Sequence, residues 1–498
     1  MQVQTSNVNE FIHSQFASTK ERYRCEVGIE MKIILLSGGS GKRLWPLSNE
    51  LRSKQFLRLL KNEEGNFQSM VQRVYSQIRK AGIEAEIVVA TGAAQADAII
   101  SHLGNEVEIL KEPERRDTFP AIALASAYLA LEKNTDPEEV ILVLPVDPYA
   151  DMEYFNVLVR MEEAVQKQMA DLVLMGIKPS HPSSKFGYIV PAKETDEKKD
   201  NQDDTEGMKI YRVERFTEKP SEETAQALLA EGAVWNGGVF AFRLGYLMDI
   251  VRRYAEEAGV GLNYRELYNN YRMFKKTSFD YEVAERAESV AMLEYRGYWK
   301  DLGTWNMLTE EMSEKVIGRV TMGEDTCNTA VINELSIPII ALGVKDLVVA
   351  ASPDGILITD KEKSAYLKPY ADQLNERPMT GEGSWGNFTA YDYIRYEDDI
   401  RSLTKHLTVK AGRTIGYQIH RIRDEILTFV DGIGDMVVDG RKFKVGRGDV
   451  VYIAKGQMHA IKAGDMSDLH YIEVQIGSEL SEEDTEGFEW QWQPDSGL

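Results

Sequence analysis

The residues that could do chemistry begin at a glycine-rich turn. The apolar run 31–36 leads into a short stretch of small and basic residues, which comprises Gly38, Gly39, Gly41, Lys42 and Arg43. Because glycine has no Cβ, the backbone N–H groups of these glycines can close around phosphate oxygens. Lys42 adds a positive charge, and Arg43 adds a forked cation that suits phosphate. Neither the Walker pattern nor the dinucleotide-binding glycine pattern is present, so the turn predicts a nucleotide phosphate site of another type.

Asp147 is the first candidate metal ligand. It follows the apolar run 142–146, and the carboxyl end of a strand is where ligands of α/β proteins gather. A carboxylate there, together with a second carboxylate, substrate phosphates and water, would satisfy octahedral Mg²⁺. An aspartate that only caps the next turn is the alternative interpretation.

The elements that must position these residues alternate in type. Between residues 32 and 176, apolar β-type runs alternate with segments of helical period, which predicts βαβ units and a mainly parallel sheet. The expected strands are 32–37, 86–91, 140–145 and 171–177, and the expected helices are near 67–81, 93–103, 119–133 and 153–168. The charged stretch 193–207 predicts a solvated loop within an antiparallel insertion.

Beyond residue 305 the pattern changes to short strands. Runs at 330–332, 339–341, 347–351 and 355–359 predict a small β module, with 361–374 as its closing helix. The predicted domains are a nucleotide-binding domain at 31–310, a connecting module at 311–375, a linker at 376–386 and an all-β domain at 387–498. Residues 1–30 are either a flexible extension or a mis-called start, with Met31 as the true start.

Composition restricts the partners. A net charge of −22 argues against nucleic acid and anionic membrane surfaces, so an anionic substrate must meet a local cationic cluster or a metal ion. Cys25 and Cys327 are too few for a disulfide framework, and the sequence has no run of about 20 apolar residues. We therefore expect a cytoplasmic protein, and we also expect a homo-oligomer.

Several motifs carry a family resemblance. The segment 31–48, continued by Ser-Lys-Gln-Phe-Leu at 53–57, resembles the signature of sugar-phosphate nucleotidyltransferases, and Leu-Trp-Pro-Leu-Ser at 44–48 is similar to mannose-1-phosphate guanylyltransferases. Further matching motifs, in order, are Leu-Pro-Val-Asp at 144–147, Gly-Tyr-Ile at 187–189, Phe-Thr-Glu-Lys-Pro at 216–220, Trp-Asn-Gly-Gly-Val-Phe at 235–240 and Trp-Lys-Asp-Leu-Gly-Thr-Trp at 299–305. The resemblance covers residues 31–375 and implies a Rossmann-like α/β domain.

The resemblance also implies a reaction and roles for matching residues. The reaction is transfer of GMP from GTP to mannose 1-phosphate, which gives GDP-mannose and pyrophosphate for polysaccharide biosynthesis. The implied roles are transition-state phosphate charge for Arg43 and Lys54, Mg²⁺ binding for Asp147 and Asp301, and sugar-phosphate binding for Tyr188, Glu218, Lys219 and Asn236. Tyr188 could equally be an ordinary core residue.

The segment 112–123 departs from the family pattern. Asp117 stands where the family has an amide near the base, and Phe119 replaces a small residue. An acidic acceptor can still bond the N1–H and amino edge of guanine, so Asp117 is a candidate nucleotide contact. Two alternatives stay open: a nucleotidyltransferase for another NTP or sugar 1-phosphate, and a non-catalytic regulatory subunit that binds an NDP-sugar.

The C-terminal β domain resembles a cupin of the type found in bifunctional mannose-6-phosphate isomerase/guanylyltransferases. Its motifs imply a divalent metal site, for Zn²⁺ or another ion, formed by Gln418, His420, Glu425 and His459. A metal-free structural barrel is the alternative. The arginine that follows the last metal-binding histidine in those enzymes is here Ala460. That departure argues against isomerase activity, although a bifunctional enzyme remains a further alternative.

Overall fold

The structure, a computed structural model, describes residues 31–39, 42–192, 209–374, 377–481 and 484–492. The chain divides into two compact units built from discontinuous segments. Unit 1 comprises the chain up to Gly38 with Val74–Ala93 and Glu106–Lys300, and unit 2 comprises Gly39–Arg73, Ala94–Asn105 and the chain from Asp301 onward. The first boundary between the two units along the chain falls after Gly38.

The elements are numbered along the chain. The helices are α1 (Met70–Lys80), α2 (Ala96–Leu103), α3 (Thr118–Leu131), α4 (Met152–Gln166), α5 (Glu222–Ala230), α6 (Leu244–Ala258), α7 (Tyr264–Asn269), α8 (Trp305–Glu311) and α9 (Lys368–Ala371). The strands up to residue 301 are β1 (Met31–Leu36), β2 (Leu60–Lys61), β3 (Phe67–Gln68), β4 (Glu86–Gly92), β5 (Glu108–Glu112), β6 (Val140–Pro145), β7 (Pro148–Ala150), β8 (Leu172–Ile177), β9 (Tyr188–Pro191), β10 (Ile210–Thr217), β11 (Val234–Arg243), β12 (Val290–Tyr295) and β13 (Trp299–Asp301).

The later strands belong to the connecting module and the all-β domain. They are β14 (Val316–Ile317), β15 (Val320–Met322), β16 (Ala330–Asn333), β17 (Ile339–Ala341), β18 (Leu347–Ser352), β19 (Gly355–Asp360), β20 (Thr380–Gly383), β21 (Gly386–Arg395), β22 (Arg401–Val409), β23 (Thr414–His420), β24 (Arg423–Asp431), β25 (Ile433–Val438), β26 (Arg441–Gly446), β27 (Val450–Ile453), β28 (His459–Ala463), β29 (Leu469–Gly477) and β30 (Thr485–Phe488).

Unit 1 is built on a sheet with the strand order β5-β4-β1-β6-β11-β8-β12-β10-β9. β1 lies parallel between β4 and β6, with Ile33 opposite Ile87 and Leu142. β11 runs antiparallel to both β6 and β8, and β10 runs antiparallel to β9 and β12. The parallel half confirms the predicted βαβ alternation, and the β9–β10 pair confirms the predicted antiparallel insertion.

Helix α3 lies at the centre of the unit 1 core. Nearly every position of this helix is apolar, and its side chains are buried on all sides. A helix that is hydrophobic all round must be covered all round. The same apolar cluster contains residues of β6, β8, β11 and α6, so the core fixes the strand ends that carry the polar motifs.

Unit 2 contains the connecting module and the all-β domain. In the module, β14, β16 and β18 run parallel, and β18 and β19 form an antiparallel hairpin. The all-β domain consists of two sheets, with the orders β20-β21-β22-β29-β24-β27 and β26-β25-β28-β23-β30. Alternate residues of β29 are buried, as expected for a strand with one face toward a core.

Several elements predicted from the sequence can be compared directly with the structure. The predicted strands of the module coincide with β16 to β19, but the predicted closing helix is two short pieces, a 3₁₀ turn at Lys363–Tyr366 and α9, which has Pro369 in its first turn. Strand β20 lies within the segment 376–386 that the sequence analysis treats as a linker. The predictions for residues 1–30, 193–207 and Gly41 lie outside the described residues. In the described part of the chain, no helix is long and apolar enough to cross a membrane.

Candidate functional site

The glycine-rich turn begins directly after β1 with open space beside it. A Cβ built on Gly38 or Gly39 would meet no atom within 4 Å, and Gly39 has a φ of +153°, which favours glycine. The carbonyl of Gly39 accepts a hydrogen bond from Nε2 of buried Gln95 at 3.3 Å. Gln95 also accepts one from Gln55 Nε2 at 3.4 Å. The backbone at Gly39 is therefore held by the protein and open to a ligand.

The predicted cations lie on two single 3₁₀ turns after the glycines. Arg43 is exposed on the turn Lys42–Leu44, and Lys54 is half-buried at the start of the turn Lys54–Phe56. Lys42 lies 3.9 Å from a carboxylate oxygen of Asp372. All of these residues belong to unit 2, and the exposed guanidinium of Arg43 is accessible to a phosphate.

Asp117 caps helix α3. Its side chain accepts a hydrogen bond from the backbone N–H of Thr118 at 2.8 Å, and its φ of +75° lies in the left-handed region. An aspartate suits the cap, but with a ψ of −176° this backbone conformation is nearly restricted to glycine, so the backbone is strained at Asp117. The structure thus gives Asp117 a structural role in addition to the predicted contact with the nucleotide, which stays a prediction.

The predicted sugar-phosphate residues come together at the ends of β9, β10 and β11. Asn236 donates from its backbone N–H to the carbonyl of Gly187 at 2.7 Å. Lys219 Nζ lies 2.6 Å from Glu218 Oε1, and a Cβ on Gly187 would lie 2.4 Å from Glu218 Oε2. A side chain at position 187 would therefore displace the Glu218 carboxylate from its present place.

Asp280 is a member of this cluster that the sequence motifs missed. It begins a π-helical turn, Asp280–Ala284, and its Oδ1 accepts a hydrogen bond from Asn236 Nδ2 at 2.6 Å. The Asn236 carbonyl oxygen Oδ1 in turn accepts from the N–H of Gly238 at 3.1 Å, which fixes the amide orientation. We call Glu218, Lys219, Asn236 and Asp280 the acidic cluster.

The electrostatics of the acidic cluster follow from burial. Burial raises the pKa of Asp280, against the opposing charge of Lys219. Burial, followed by the charge of Asp280, also raises the pKa of Glu218. Two carboxyl groups held close together out of water disfavour their own ionisation. They offer strong acceptors for ligand hydroxyls, beside an exposed ammonium at Lys219 that can meet an anion.

Tyr188 has a structural role, and its predicted contact with the sugar phosphate stays a prediction. Its side chain is fully buried. Its hydroxyl donates to the carbonyl of Ser183 at 3.0 Å and accepts from the N–H of the same residue at 2.8 Å. The hydroxyl is used inside the protein, so the structure supports the alternative interpretation of Tyr188 as a core residue.

The two predicted Mg²⁺ ligands are each half-buried in their own unit. Asp147 follows β6 in unit 1, and its charge contributes, after burial, to raising the pKa of Tyr154. Asp301 in unit 2 accepts a hydrogen bond from the N–H of Gly303 at 2.9 Å through Oδ1. Each carboxylate has the oxygen donors that Mg²⁺ prefers.

The predicted cupin ligands converge inside the barrel. His420 Nε2 lies 3.2 Å from Glu425 Oε1, and His459 Nε2 lies 3.3 Å from Glu425 Oε2. The amide nitrogen Nε2 of Gln418 lies 3.3 Å and 3.4 Å from Nε2 of His420 and of His459, so the amide atom nearest the imidazoles is a hydrogen-bond donor. Ligand atoms of a tetrahedral zinc site with bonds of about 2.0–2.1 Å are separated by about 3.3–3.4 Å. His420, Glu425 and His459 therefore fit a divalent metal, whereas Gln418 would bind it only with its amide turned so that Oε1 faces the cluster.

Protonation states at the barrel cluster also suit a metal. Burial lowers the pKa of His420 to about 4, which leaves the imidazole neutral at pH 7. Burial alone would raise the pKa of Glu425, but the hydrogen bond from His459 and the nearby positive charges outweigh it and hold that pKa well below its usual value. Neutral imidazole and ionised carboxylate are the ligand forms that bind metals.

Arg423 and Ala460 mark the surroundings of this cluster. Buried Arg423 donates to Glu425 Oε1 at 3.0 Å, and sequence reasoning did not single it out. Ala460 is fully buried with Tyr417 and Val437 in an apolar cluster, which the side chains of Trp490 and Trp492 cover. The position of the isomerase arginine is thus part of a small apolar core.

Known proteins resemble this chain over most of its length. A family model described as nucleotidyl transferase matches residues 32–316, and one described as mannose-6-phosphate isomerase C-terminal matches residues 377–490. The chain belongs to the nucleotidyl transferase family. This nucleotidyltransferase is 31% identical over 489 residues to mannose-1-phosphate guanylyltransferase of Escherichia coli, covering 91% of this chain and 97% of the relative.

Other relatives of this nucleotidyltransferase have names from polysaccharide biosynthesis. Xanthan biosynthesis protein XanB of Xanthomonas campestris is 31% identical, with 92% of this chain and 97% of the relative covered. Alginate biosynthesis protein AlgA of Pseudomonas putida is 28% identical, with 92% and 95% covered. A crystal structure described as mannose-1-phosphate geranyltransferase from Thermus thermophilus is 30% identical, with a TM-score of 0.56, and covers 70% of this chain and 100% of that one.

Two members of the sites were missed from sequence for identifiable reasons. Asp280 is 44 positions from Asn236, and its segment matches none of the quoted motifs. Arg423 and Glu425 are two residues apart on β24, and side chains two residues apart on a strand lie on the same face of the sheet. That signal was available only once β24 was assigned.

Proposed function

We propose that this enzyme transfers GMP from GTP to mannose 1-phosphate and releases pyrophosphate. The family membership makes it a nucleotidyltransferase that acts on a nucleotide and a sugar phosphate. The choice of guanine and mannose rests on the relatives and on the motifs at 44–48 and 216–220.

The acidic cluster is the observation that carries the proposal. Glu218 provides a buried carboxyl group and Asp280 a half-buried one, with Asn236 bonded to Asp280 and Lys219 bonded to Glu218. Hexose hydroxyls are donors that bind well to such acceptors, and an ammonium binds phosphate as a point charge. The combination of paired acceptors and one exposed cation suits a sugar that carries one phosphate.

The proposed reaction requires the protein to position the two substrates and to neutralise charge on their phosphates. A phosphate oxygen of mannose 1-phosphate attacks the α-phosphorus of GTP, a new P–O bond forms, and the bond from the α-phosphorus to the bridging oxygen of pyrophosphate breaks. Arg43 and Lys54 neutralise negative charge that develops on the phosphates. The N–H groups of the glycine turn hold phosphate oxygens, and the acidic cluster holds the sugar.

Metal ions complete the proposal. Asp147 and Asp301 remain the predicted Mg²⁺ ligands, and Mg²⁺ would reduce the charge repulsion that the attacking phosphate meets. In the cupin, Gln418, His420, Glu425 and His459 would hold Zn²⁺ or another divalent ion in a structural role. The apolar packing of Ala460 supports a cupin that does not isomerise sugar phosphates.

Pyrophosphate release by the purified full-length protein with Mg²⁺ tests the proposal. GTP, UTP, dTTP and ATP are each paired with mannose 1-phosphate and glucose 1-phosphate. Release that is fastest with GTP and mannose 1-phosphate is the expected result. A faster reaction with another pair would replace the substrates but keep the reaction class, whereas binding without release would favour a regulatory subunit.

A separate assay tests the cupin. Conversion of fructose 6-phosphate to mannose 6-phosphate is followed with protein whose metal content has been measured. We expect bound divalent metal and no conversion. Conversion that depends on the metal would show that the enzyme is bifunctional.

A further inference from the structure

The internal hydrogen bonds of the segment that carries Arg43 and Lys54 are those of short turns, such as Ser48 N–H to the Leu44 carbonyl at 3.2 Å. The two cations lie on short 3₁₀ turns at its ends, Lys42–Leu44 and Lys54–Phe56. Between the turns the described chain has no helix or strand. A segment of this kind keeps one conformation only if other elements bond it, because loop backbone otherwise samples many conformations.

Residues near the start of the segment are bonded by the chain after residue 301. The carbonyl of Trp45 accepts a hydrogen bond from Nε1 of fully buried Trp305 at 3.1 Å. The carbonyl of Pro46 accepts from Oγ of Ser352 at 2.7 Å. Gly355 lies against the Trp45 indole so closely that a Cβ there would be 2.4 Å from the ring. Ser352 ends β18 and Gly355 begins β19, so the two residues flank the β18–β19 turn.

The middle of the segment is bonded by the same turn and by the start of the cupin. Asn49 Oδ1 accepts from the N–H groups of Leu51 and Arg52, which closes a local turn. Asn49 Nδ2 donates outward, to Asp354 Oδ2 at 3.2 Å and to the carbonyl of Thr380 on β20 at 3.1 Å. The same Asp354 carboxylate accepts from the hydroxyl of Thr380 at 2.9 Å.

An ion pair bonds the segment two residues before Lys54. The guanidinium of Arg52 makes paired hydrogen bonds to Glu334 at 2.7 Å and 2.9 Å. Glu334 follows β16 of the connecting module. A bidentate pair fixes direction as well as distance, so both ends of the segment are tied to residues beyond 301.

We propose that the β18–β19 turn and strand β20 position Arg43 and Lys54 for nucleotidyl transfer, with Asn49 and Asp354 as positioning residues. The inference rests on the proposed function of the two cations. It gives the C-terminal part of the chain a place in the guanylyltransferase reaction that is independent of any metal in the cupin. If the contacts of Asn49 and Asp354 served folding only, their loss would not change turnover.

The test uses an exchange of amide and carboxylate. Asn49→Asp keeps the acceptor for Leu51 and Arg52 but places two carboxylates together at Asp354. Adding Asp354→Asn again gives the pair one amide donor and one carboxylate acceptor, but the donor is now at position 354 and the acceptor at position 49. The matched control is Asn328→Asp, because the Asn328 amide also donates to a carboxylate, Asp346, at 2.5 Å in the connecting module.

Turnover and hydrogen exchange are measured on the same full-length proteins. For Asn49→Asp we expect kcat for pyrophosphate release to fall at least about 10-fold, since small misplacements of catalytic groups are costly. The KM for mannose 1-phosphate should change less than about two-fold. Backbone amides of residues 42–56 should exchange faster. The double variant should recover only part of the lost kcat, because an aspartate at position 49 cannot donate to the carbonyl of Thr380, and Asn328→Asp should match the wild type.

Other results would overturn the inference. Faster exchange in Asn49→Asp with unchanged kcat would mean that the contacts serve folding only. Unchanged exchange and unchanged kcat would mean that the turn does not hold the segment. A wild-type protein that releases no pyrophosphate with any substrate pair would instead overturn the proposed function, and the inference with it.

Discussion

Replacement of Asp280 by asparagine should separate the stability of this protein from its activity. Burial raises the pKa of Asp280 above its ordinary value of 3.8, so ionisation of this carboxyl costs folding free energy. Asparagine keeps an oxygen that can accept from Asn236 Nδ2, the bond that is 2.6 Å long in the structure. Asp280→Asn should therefore unfold at a temperature equal to or above that of the wild type at pH 8.

The sign of the pH dependence follows from the raised pKa. The contribution of the protonated carboxyl is fully present below pH 3.8 and is lost as the pH rises through the folded-state pKa. It amounts to about 1.4 kcal/mol for each unit by which the two pKa values differ. Asparagine does not ionise, so the advantage of Asp280→Asn over the wild type should be present at pH 8 and should disappear toward pH 4.

Activity should change in the opposite direction. A charged acceptor contributes about 1.5–3 kcal/mol to a hydrogen bond and a neutral one about 0.5–1.5 kcal/mol. Loss of the charge should therefore cost about 1–1.5 kcal/mol for each sugar hydroxyl bonded, or roughly 5–13-fold in kcat/KM for mannose 1-phosphate. The KM for GTP should stay within about two-fold.

Thermal unfolding and steady-state pyrophosphate release check both expectations. Asp249→Asn is the control, because Asp249 is an exposed residue of α6 in the same unit. A variant Asp280→Asn that unfolds earlier than the wild type at every pH and keeps its kcat/KM for the sugar would refute the reasoning. Asp280 would then be a structural residue without a role in the substrate site.

Three further variants test individual roles. Arg43→Ala should lower kcat by about 10²–10³-fold, because it removes charge from the transition state, while a GTP titration should still show binding; unchanged kcat would exclude the role. Tyr188→Phe should lower the free energy of unfolding, measured in denaturant, by about 1–3 kcal/mol, because the buried N–H of Ser183 loses its acceptor. An increased KM for the sugar phosphate would instead support a contact between Tyr188 and the ligand. Glu425→Gln should reduce the divalent metal content after dialysis at least about 10-fold, as measured by mass spectrometry. The control Glu486→Gln removes an exposed ion pair and should retain the metal. Equal metal content in both variants would argue for a barrel without a metal.

Local patterns predicted the fold well where apolar periodicity decides it. β1, β4, β6 and β8 and the helices between them lie within a few residues of the expected positions, because continuous apolar runs mark the buried strands and apolar periodicity marks the helices other than α3, which is apolar all round. Strand β20 was not predicted, since its sequence Thr-Gly-Glu-Gly is typical of a loop. Its pairing with β21 supplies the hydrogen bonds that its composition does not indicate.

The candidate site also contains residues that could be predicted from the sequence and residues that could not. Residues within short motifs, such as Glu218, Lys219 and Asn236, could be predicted together and lie together in the structure. Asp280 could not, because a chain reversal through α6 and α7 brings it to Asn236. The backbone hydrogen bonds of the Tyr188 hydroxyl could not be predicted either, since a motif position shared with a family does not reveal which groups a side chain bonds inside the protein.

The discontinuous units restrict how this gene can be recombined. Unit 2 gathers residues 39–73 and 94–105 with the chain from 301 onward. A chimera joined at residue 310 would therefore combine two parents within one packed body, although the junction follows a boundary that the sequence suggests. A single crossover anywhere between residues 105 and 301 has the same effect. Exchange of all three segments together would preserve the inherited packing, so successful hybrids with distant relatives should need at least that much coordinated replacement.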